Sequence, residues 1–274
     1  MADNHIDVSI IIPAKNEEKY LPKLLSGIRL YVKSCRKLKF ETIVALAPSR
    51  DRTGKIAKRF GARVIRGGLP GIGRNRGARI ARGNLLIFLD ADVTLSRNFF
   101  SRAIREFNER GLDFSSVDIH MASRNRMDLF LQRLNNIVQR ATERTKYAYA
   151  TGMCIIVKRK IFFKVRGFDE KISFAEDADL TCRLAKAGGK FRILNSCHVT
   201  TSNRRFASDG RIKTISRFIN AAIKHGMGNK ITGKYDYFRD FNLLDGKNSG
   251  DSNKFRQRIM RRIRKFRKNI VKMR

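Results

Sequence analysis

The chain has 274 residues, 42% of them hydrophobic, and a formal net charge of +36 at neutral pH. That length and apolar content support one large domain or two small ones around a real core and exclude a disordered chain. The cationic excess implies attraction to polyanions (nucleic acid, anionic lipid or phosphorylated substrates) or a heavily solvated surface, and does not by itself choose among them.

Residues 8–12 read as a buried strand stopped by Pro13. A helix follows with Leu21, Leu24, Leu25 and Ile28 on one face, and Pro22 is tolerable only in its first turn. Residues 40–46 form a second strand, 53–60 a short helix closed by Gly61, and 62–65 a third strand. The glycine-bearing run Gly67-Gly68-Leu69-Pro70-Gly71-Ile72-Gly73-Arg74-Asn75-Arg76-Gly77 opens a helix ending at Gly83. Its spacing differs from the dinucleotide fingerprint. The strand Leu85-Leu86-Ile87-Phe88-Leu89 then runs into Asp90-Ala91-Asp92. Ser96 caps an amphipathic helix with Phe99, Phe100, Ala103, Ile104 and Phe107 inward. This alternation argues for a mainly parallel sheet covered by helices on both faces.

Further on, 114–119 reads as a strand. Residues 127–141 form an amphipathic helix with Phe130, Leu131, Leu134, Ile137 and Val138 at helical spacing. Residues 153–157 are a strand, and the turn Gly167-Phe168-Asp169-Glu170 leads to a helix beginning at Glu176-Asp177 and ending at Gly188-Gly189. Residues 190–194 are a strand and 212–223 a helix. A polar stretch, 236–253, reads as a linker before a basic amphipathic helix at 254–274. Cys35, Cys154, Cys182 and Cys197 have no metal-type spacing and read as reduced thiols. No apolar run is long enough to span a bilayer, and the first residues lack the pattern of a secretory signal.

Chemistry concentrates at Asp90 and Asp92. Two apart on an extended chain, their carboxylates point the same way, at the carboxyl end of a strand where open α/β sheets bind ligands. Two hard oxygen donors can share a divalent cation, which can hold a diphosphate. An exposed turn with two aspartates is the alternative reading of so short a pattern.

The order of motifs is more specific than any one of them. Ile10-Ile11-Ile12-Pro13-Ala14-Lys15-Asn16-Glu17-Glu18 ends the first strand, and Ser49-Arg50-Asp51-Arg52-Thr53 follows the second. Gly73-Arg74-Asn75-Arg76-Gly77 precedes Asp90-Ala91-Asp92, and Gly167-Phe168-Asp169-Glu170 precedes Glu176-Asp177, with Asp179-Leu180 and Arg183-Leu184 beyond. Over roughly residues 7–205 this order resembles the family 2 glycosyltransferases of GT-A fold.

The resemblance implies a Rossmann-like, mainly parallel sheet and inverting transfer of a sugar from a nucleotide-diphosphate donor. It places a catalytic domain at 1–205 with a helical continuation over 206–235. Asp90 would meet the ribose and Asp92 the metal, Mg²⁺ or Mn²⁺, with Asp90 and His198 as further metal contacts. Pro13, Asn16, Glu17 and Asp51 would lie along the nucleoside, Arg74 and Asn75 near the donor, and Arg204 and Arg205 on the diphosphate. Asp177, or else Glu176, would be the general base, kept ionised by the helix amides and dipole. For Asn16 a helix-capping role, for the glycines helix packing, and for Glu176 and Asp177 plain helix-terminus charge are the alternatives.

The segment Ala45-Leu46-Ala47-Pro48-Ser49 lacks the acid many relatives carry there, so UDP is a default and GDP stays open. The chain has no Trp, hence no Trp-bearing motif of processive synthases, which implies one sugar per event. The basic 254–274 helix suits an anionic membrane surface and a lipid-linked acceptor such as a polyprenyl phosphate or glycolipid, with a glycan acceptor also open. The corresponding location is cytoplasmic, peripheral on the inner face of the cell membrane. A sugar nucleotidyltransferase would need a glycine-rich basic loop after the first strand, and a nucleic-acid binder would need aromatics interleaved with basic residues. Both remain alternatives, and nucleic acid is the partner least favoured.

Overall fold

A computed structural model describes residues 5–172 and 175–202. The expected helix at 212–223, the linker, the basic 254–274 helix, and Arg204 and Arg205 lie outside the described residues.

The described chain runs β1 (Val8–Ala14), α1 (Leu21–Val32), β2 (Phe40–Leu46), α2 (Thr53–Arg59), β3 (Arg63–Arg66), α3 (Pro70–Ile80) and β4 (Leu85–Leu89). It continues β5 (Val93–Leu95), α4 (Phe99–Glu109), β6 (Phe114–Met121), α5 (Arg126–Ala141), β7 (Cys154–Lys158), α6 (Arg159–Lys164), α7 (Glu176–Lys186) and β8 (Phe191–Thr201). The eight strands form one sheet in the order β3-β2-β1-β4-β7-β6-β8-β5. The β3-β2-β1-β4 half is parallel, as is the β6–β8 pair, whereas β7 is antiparallel to both β4 and β6 and β5 is antiparallel to β8.

Strand alternation divides the interior into two cores. Ile10, Ile12, Ile87 and Leu89 join α1, α2 and α4 on one face. Ile11, Leu86 and Phe88 join α3, α6 and α7 on the other. The chain moves from β1 outward to β3, then returns to place β4 on the opposite side of β1. This topological switch opens a crevice at the carboxyl ends of β1 and β4, the ligand position of doubly wound sheets.

Four sequence expectations need correction. Pro13 does not end the first strand; it lies inside β1, opposite Ala45. Pairing with β4 stops at Ile11, so the proline sits where one flank is already open, a setting strand prolines tolerate. Ser96 does not cap α4, whose preceding residue is Asn98 in the left-handed region. Instead Ser96 Oγ accepts from the His198 amide at 3.1 Å, and the Ser96 amide donates to the His198 carbonyl, also at 3.1 Å. The last described strand is longer than expected, reaching Thr201, so His198 lies within it.

The fourth correction concerns α5. Of the five apolar residues expected to line its inward face, only Leu131 is buried, together with Asp128 and Gln139, while Ile137 is 58% exposed. The helix is turned polar side inward for a reason. β7 leaves β6 after Ser115, so the rest of β6 lacks a strand on that flank. Asn136 Oδ1 accepts from the Ile119 amide at 3.1 Å, and Asn136 Nδ2 donates to the Ile119 carbonyl at 3.0 Å. Gln132 Oε1 accepts from the Met121 amide at 2.8 Å. Side-chain amides supply the bonds a missing strand would have made, which buried backbone requires.

Close approach of α3 to the sheet depends on glycine. A Cβ on Gly77 would stand 2.5 Å from Ile11 Cγ2, and one on Gly67, just before α3, 2.5 Å from the Ala45 carbonyl oxygen. The second neighbour is backbone and cannot yield cheaply. Gly67→Ala is therefore expected to cost about 1–3 kcal/mol, read as a lower urea midpoint at unchanged slope.

Candidate active site

The crevice is built around Arg74. It projects from α3, is only 1% exposed, and joins three parts of the chain. Its Nη2 lies 2.6 Å from Asp90 Oδ1, after β4, and 3.2 Å from the Gly152 carbonyl, before β7. Its Nη1 lies 2.8 Å from Glu176 Oε1, the first residue of α7. The guanidinium also sits over the Phe168 ring, 5.4 Å from its centroid. A buried guanidinium needs such partners, because an unpaired charge inside a protein is costly.

Asp177 follows Glu176 in the first turn of α7. Its Oδ2 accepts from the Gly152 amide in a very short hydrogen bond, and its Oδ1 accepts from the Ala178 amide at 2.8 Å. Gly152 thus gives its carbonyl to Arg74 and its amide to Asp177. A Cβ there would stand 2.8 Å from Arg74 Nη2 and 3.2 Å from Asp177 Oδ2, so the clamp requires glycine. Withdrawal from water raises the Asp177 carboxyl first, the Glu176 carboxylate raises it further, and Arg74 opposes both; the result is about 7. The expectation of a firmly ionised helix-terminal carboxylate is thereby corrected. Desolvation outweighs the helix amides, leaving a group that exchanges its proton near neutrality.

Asp90 and Asp92 are 7% and 8% exposed and occupy the turn between β4 and β5, where the Val93 amide donates to the Asp90 carbonyl at 3.4 Å. The turn replaces the extended geometry expected from sequence. Asp90 engages Arg74, whereas Asp92 Oδ2 accepts from Ser202 Oγ at 3.0 Å, just past β8. His198 does not join them. Val93 pairs with Thr201, so His198 lies about 10 Å back along β8 at ~3.3 Å per residue. It stacks on His120 at 4.1 Å between ring centroids, and burial followed by the neighbouring His120 lowers its pKa.

Several residues expected near the donor make internal ties. Asn75 Oδ1 accepts from the Phe168 amide, and Nδ2 donates to the Phe168 carbonyl and Glu170 Oε1, each at 2.9 Å. Both amide hydrogens are occupied, so Asn75 anchors the turn before α7 and does not reach outward as a donor. Asp51 Oδ1 accepts from the Thr53 hydroxyl at 2.5 Å and the Thr53 amide at 3.0 Å, and Oδ2 accepts from the Glu18 amide at 3.1 Å. Burial raises its pKa, but these hydrogen bonds outweigh it and the net shift is downward. Asn16, at φ 53°, accepts from the Arg50 amide at 2.9 Å, and the Glu17 amide donates to Thr53 Oγ1 at 2.7 Å. These bonds staple the loops after β1 and β2 together beside Pro13. A Cβ on Gly73 would lie 3.6 Å from Pro13 Cβ, consistent with the packing role for that glycine.

Gly152, Ser202 and Gln139 carry no functional signature in the sequence. Gln139 is fully buried, and its Oε1 accepts from the Thr151 amide at 3.2 Å, fixing the residue before Gly152. A single glycine gives no pattern, and Gln139 lies on a helix whose sequence signal comes from its apolar residues. A separate cleft of about 620 Å³ opens at the amino ends of β1 and β4, lined in part by Val8, Leu85, Phe107 and Lys158. It contains none of the candidate site residues.

No group of three or more His, Cys, Asp or Glu side chains among the described residues is placed to hold a metal unaided. A Mg²⁺-like site using one or two carboxylates plus substrate phosphates does not need one, and the hard oxygens of Asp92 and Asp90 fit that role.

A glycosyl transferase family 2 model matches residues 9–166, and the chain belongs to this family. It is 40% identical to a 4,4'-diaponeurosporenoate glycosyltransferase of Staphylococcus haemolyticus over 106 residues, 35% of this chain and 27% of that protein. It is 27% identical to the uncharacterized glycosyltransferase EpsJ of Bacillus subtilis over 206 residues, 69% of this chain and 58% of that one. Among solved structures it resembles mannosyltransferase PcManGT of Pyrobaculum calidifontis in complex with GDP-Man and Mn²⁺, at TM-score 0.64 and 19% identity, covering 85% of this chain and 66% of that one. It also resembles S. aureus TarS 1–349 in complex with UDP, at TM-score 0.55 and 17% identity, covering 83% and 67%. These likenesses establish the GT-A fold.

A raised carboxyl pKa has a consequence for stability. Between roughly pH 4, the ordinary carboxylate range, and about 7, the folded protein holds a proton at Asp177 that the unfolded chain has released. Stability from this group therefore falls as pH rises through that window and is lowest above it. Asp177→Asn is expected to raise the thermal midpoint at pH 8 relative to wild type, with little or no gain at pH 4. An equal change at both pH values would contradict the assignment.

Proposed function

We propose that the protein is a metal-dependent inverting glycosyltransferase that moves one sugar from a nucleotide-diphosphate sugar to an acceptor. The observation that carries this reading is the Arg74–Gly152 linkage. It joins Asp90, at the sheet's switch-point crevice, to a second carboxylate, Asp177, poised near neutrality.

The donor nucleotide lies across the carboxyl ends of β1 and β4, beside Pro13 and the stapled loops bearing Asn16, Glu17 and Asp51. Asp90 meets the ribose, and Asp92, with Asp90, would hold Mg²⁺ or Mn²⁺, which would offset the charge of the departing diphosphate. Arg204 and Arg205 supply further cations to the diphosphate. Asp177 takes the proton of an acceptor hydroxyl, the acceptor oxygen bonds to the anomeric carbon, and the bond from that carbon to the diphosphate oxygen breaks. Glu176, held by Arg74, is left to position this group. With an acceptor that is already an anion, such as a lipid phosphate, Asp177 positions it instead. UDP remains the default nucleotide, with GDP the other choice. A lipid-linked acceptor at the cytoplasmic face of the membrane, approached through the basic 254–274 segment, suits the chain's charge.

Calorimetric titration with UDP- and GDP-sugars, with Mn²⁺ and then with chelator, tests the donor half. One nucleotide sugar is expected to bind in a metal-dependent way, at moderate salt so that generic polyanion attraction is screened, and Asp92→Asn is expected to abolish it. Equal, salt-sensitive binding of every nucleotide to both proteins would overturn the reading. For a hydroxyl acceptor, kcat/KM is expected to fall tenfold per pH unit below about 7, since only ionised Asp177 accepts the proton.

A further inference from the structure

We propose that the outward face of α5 is a docking surface for an anionic lipid bilayer. The inward face is fully engaged, with Gln132 and Asn136 bonded to the β6 backbone and Gln139 to Thr151. Asp128 is buried and accepts from Ser123 Oγ at 2.6 Å. At 3.6 residues per turn, Phe130, Leu134 and Ile137 fall on the opposite side. Phe130 and Leu134 are partly buried, and Ile137 is exposed. Arg126 and Arg133 border this stripe, and Arg124, Arg144 and Lys146 stand exposed beyond its ends.

Over residues 122–147 the only carboxylates are Asp128 and Glu143. Asp128 is buried, and Glu143 Oε1 accepts from the Ile193 amide at 3.0 Å. The outward face therefore presents apolar side chains rimmed by cations, with no acid from residues 122–147 among them. That is the pattern of a helix lying in a lipid interface, apolar side down and arginines at the headgroups. Its 16 residues are too few to span a bilayer. Charge complementarity selects this occupant. A second copy of a chain carrying +36 would bring the same cations face to face, and residues 203–274 of the chain are themselves rich in Arg and Lys. A nucleic acid would call for stacking aromatics within the basic surface, and the stripe has only Phe130.

Membrane contact here would reach the active site directly. α5 contacts Thr151 through Gln139, and Thr151 precedes Gly152, which holds Asp177. The proposal does not depend on nucleotide-sugar binding, which the calorimetric titration examines separately.

The chain contains no Trp, so Ile137→Trp in the full chain creates a single fluorescent reporter at the stripe. Vesicles of phosphatidylcholine alone and with phosphatidylglycerol are added at moderate salt. The expected result is a blue shift, with quenching by brominated lipid, only when phosphatidylglycerol is present. Phe130→Ser/Ile137→Ser, at positions outside the buried core, is expected to partition about tenfold more weakly, a loss of roughly 1.4 kcal/mol. Co-sedimentation with unchanged emission would overturn the proposal and place the contact elsewhere, for example on 254–274. So would an emission already blue-shifted without lipid, a shift that depends on protein concentration, or an equal shift with an oligonucleotide.

Discussion

One buried guanidinium organises this protein. Arg74, on α3, lies where the end of β4, the start of β7 and the first turn of α7 converge, and each of these three supplies a partner. A charge withdrawn from water costs several kcal/mol unless it is paired and hydrogen-bonded, so the four segments are constrained to meet. Such a pairing adds little net stability over a well-packed apolar substitute, but losing one partner costs about 3–5 kcal/mol. Its value lies in specifying geometry. The glycines of α3 serve the same end, because they let the helix sit close enough for Arg74 to reach Asp90.

That constraint also sets the chemistry. Arg74 faces Asp90 and Glu176 directly and Asp177 at longer range, one cation against three carboxylates. The two carboxylates in direct contact with the guanidinium are the better compensated. Asp177, tied to the Gly152 amide in a desolvated position, receives only part of that field and holds its proton to near neutrality. The same crowding of negative charge suits a divalent cation at Asp92 and Asp90. Asp90 and Asp177 are thus coupled through one side chain and one glycine.

Much of this was legible in the sequence because period and order report local structure well. The strand–helix alternation from β1 to α4, the two aspartates after β4 and the acids opening α7 follow from patterns of two, of three to four, and of chain order. What the sequence could not supply was the partner of each polar group. Arg74 and Asn75 stood in a motif that read as donor-facing, yet both face inward, one to carboxylates and the other to the Phe168 backbone. Ser96 looked like a cap and is a tie between β5 and β8. The spacing in α5 is amphipathic, but periodicity does not say which side faces the sheet. That was decided by β7 departing from β6 after Ser115, which no local pattern records. Gly152 carries no signal at all outside the fold.

The central claim, that Arg74 holds Asp177 at a proton affinity near neutrality, is tested most directly by carbon-13 NMR titration of the aspartate carboxyl groups. Wild type is compared with Arg74→Gln, each resonance being assigned through Asp177→Asn. The account predicts that Asp177 titrates near 7 in the wild type and higher in Arg74→Gln, where the opposing positive charge is gone. Titration of Asp177 near 4 in both proteins would contradict it.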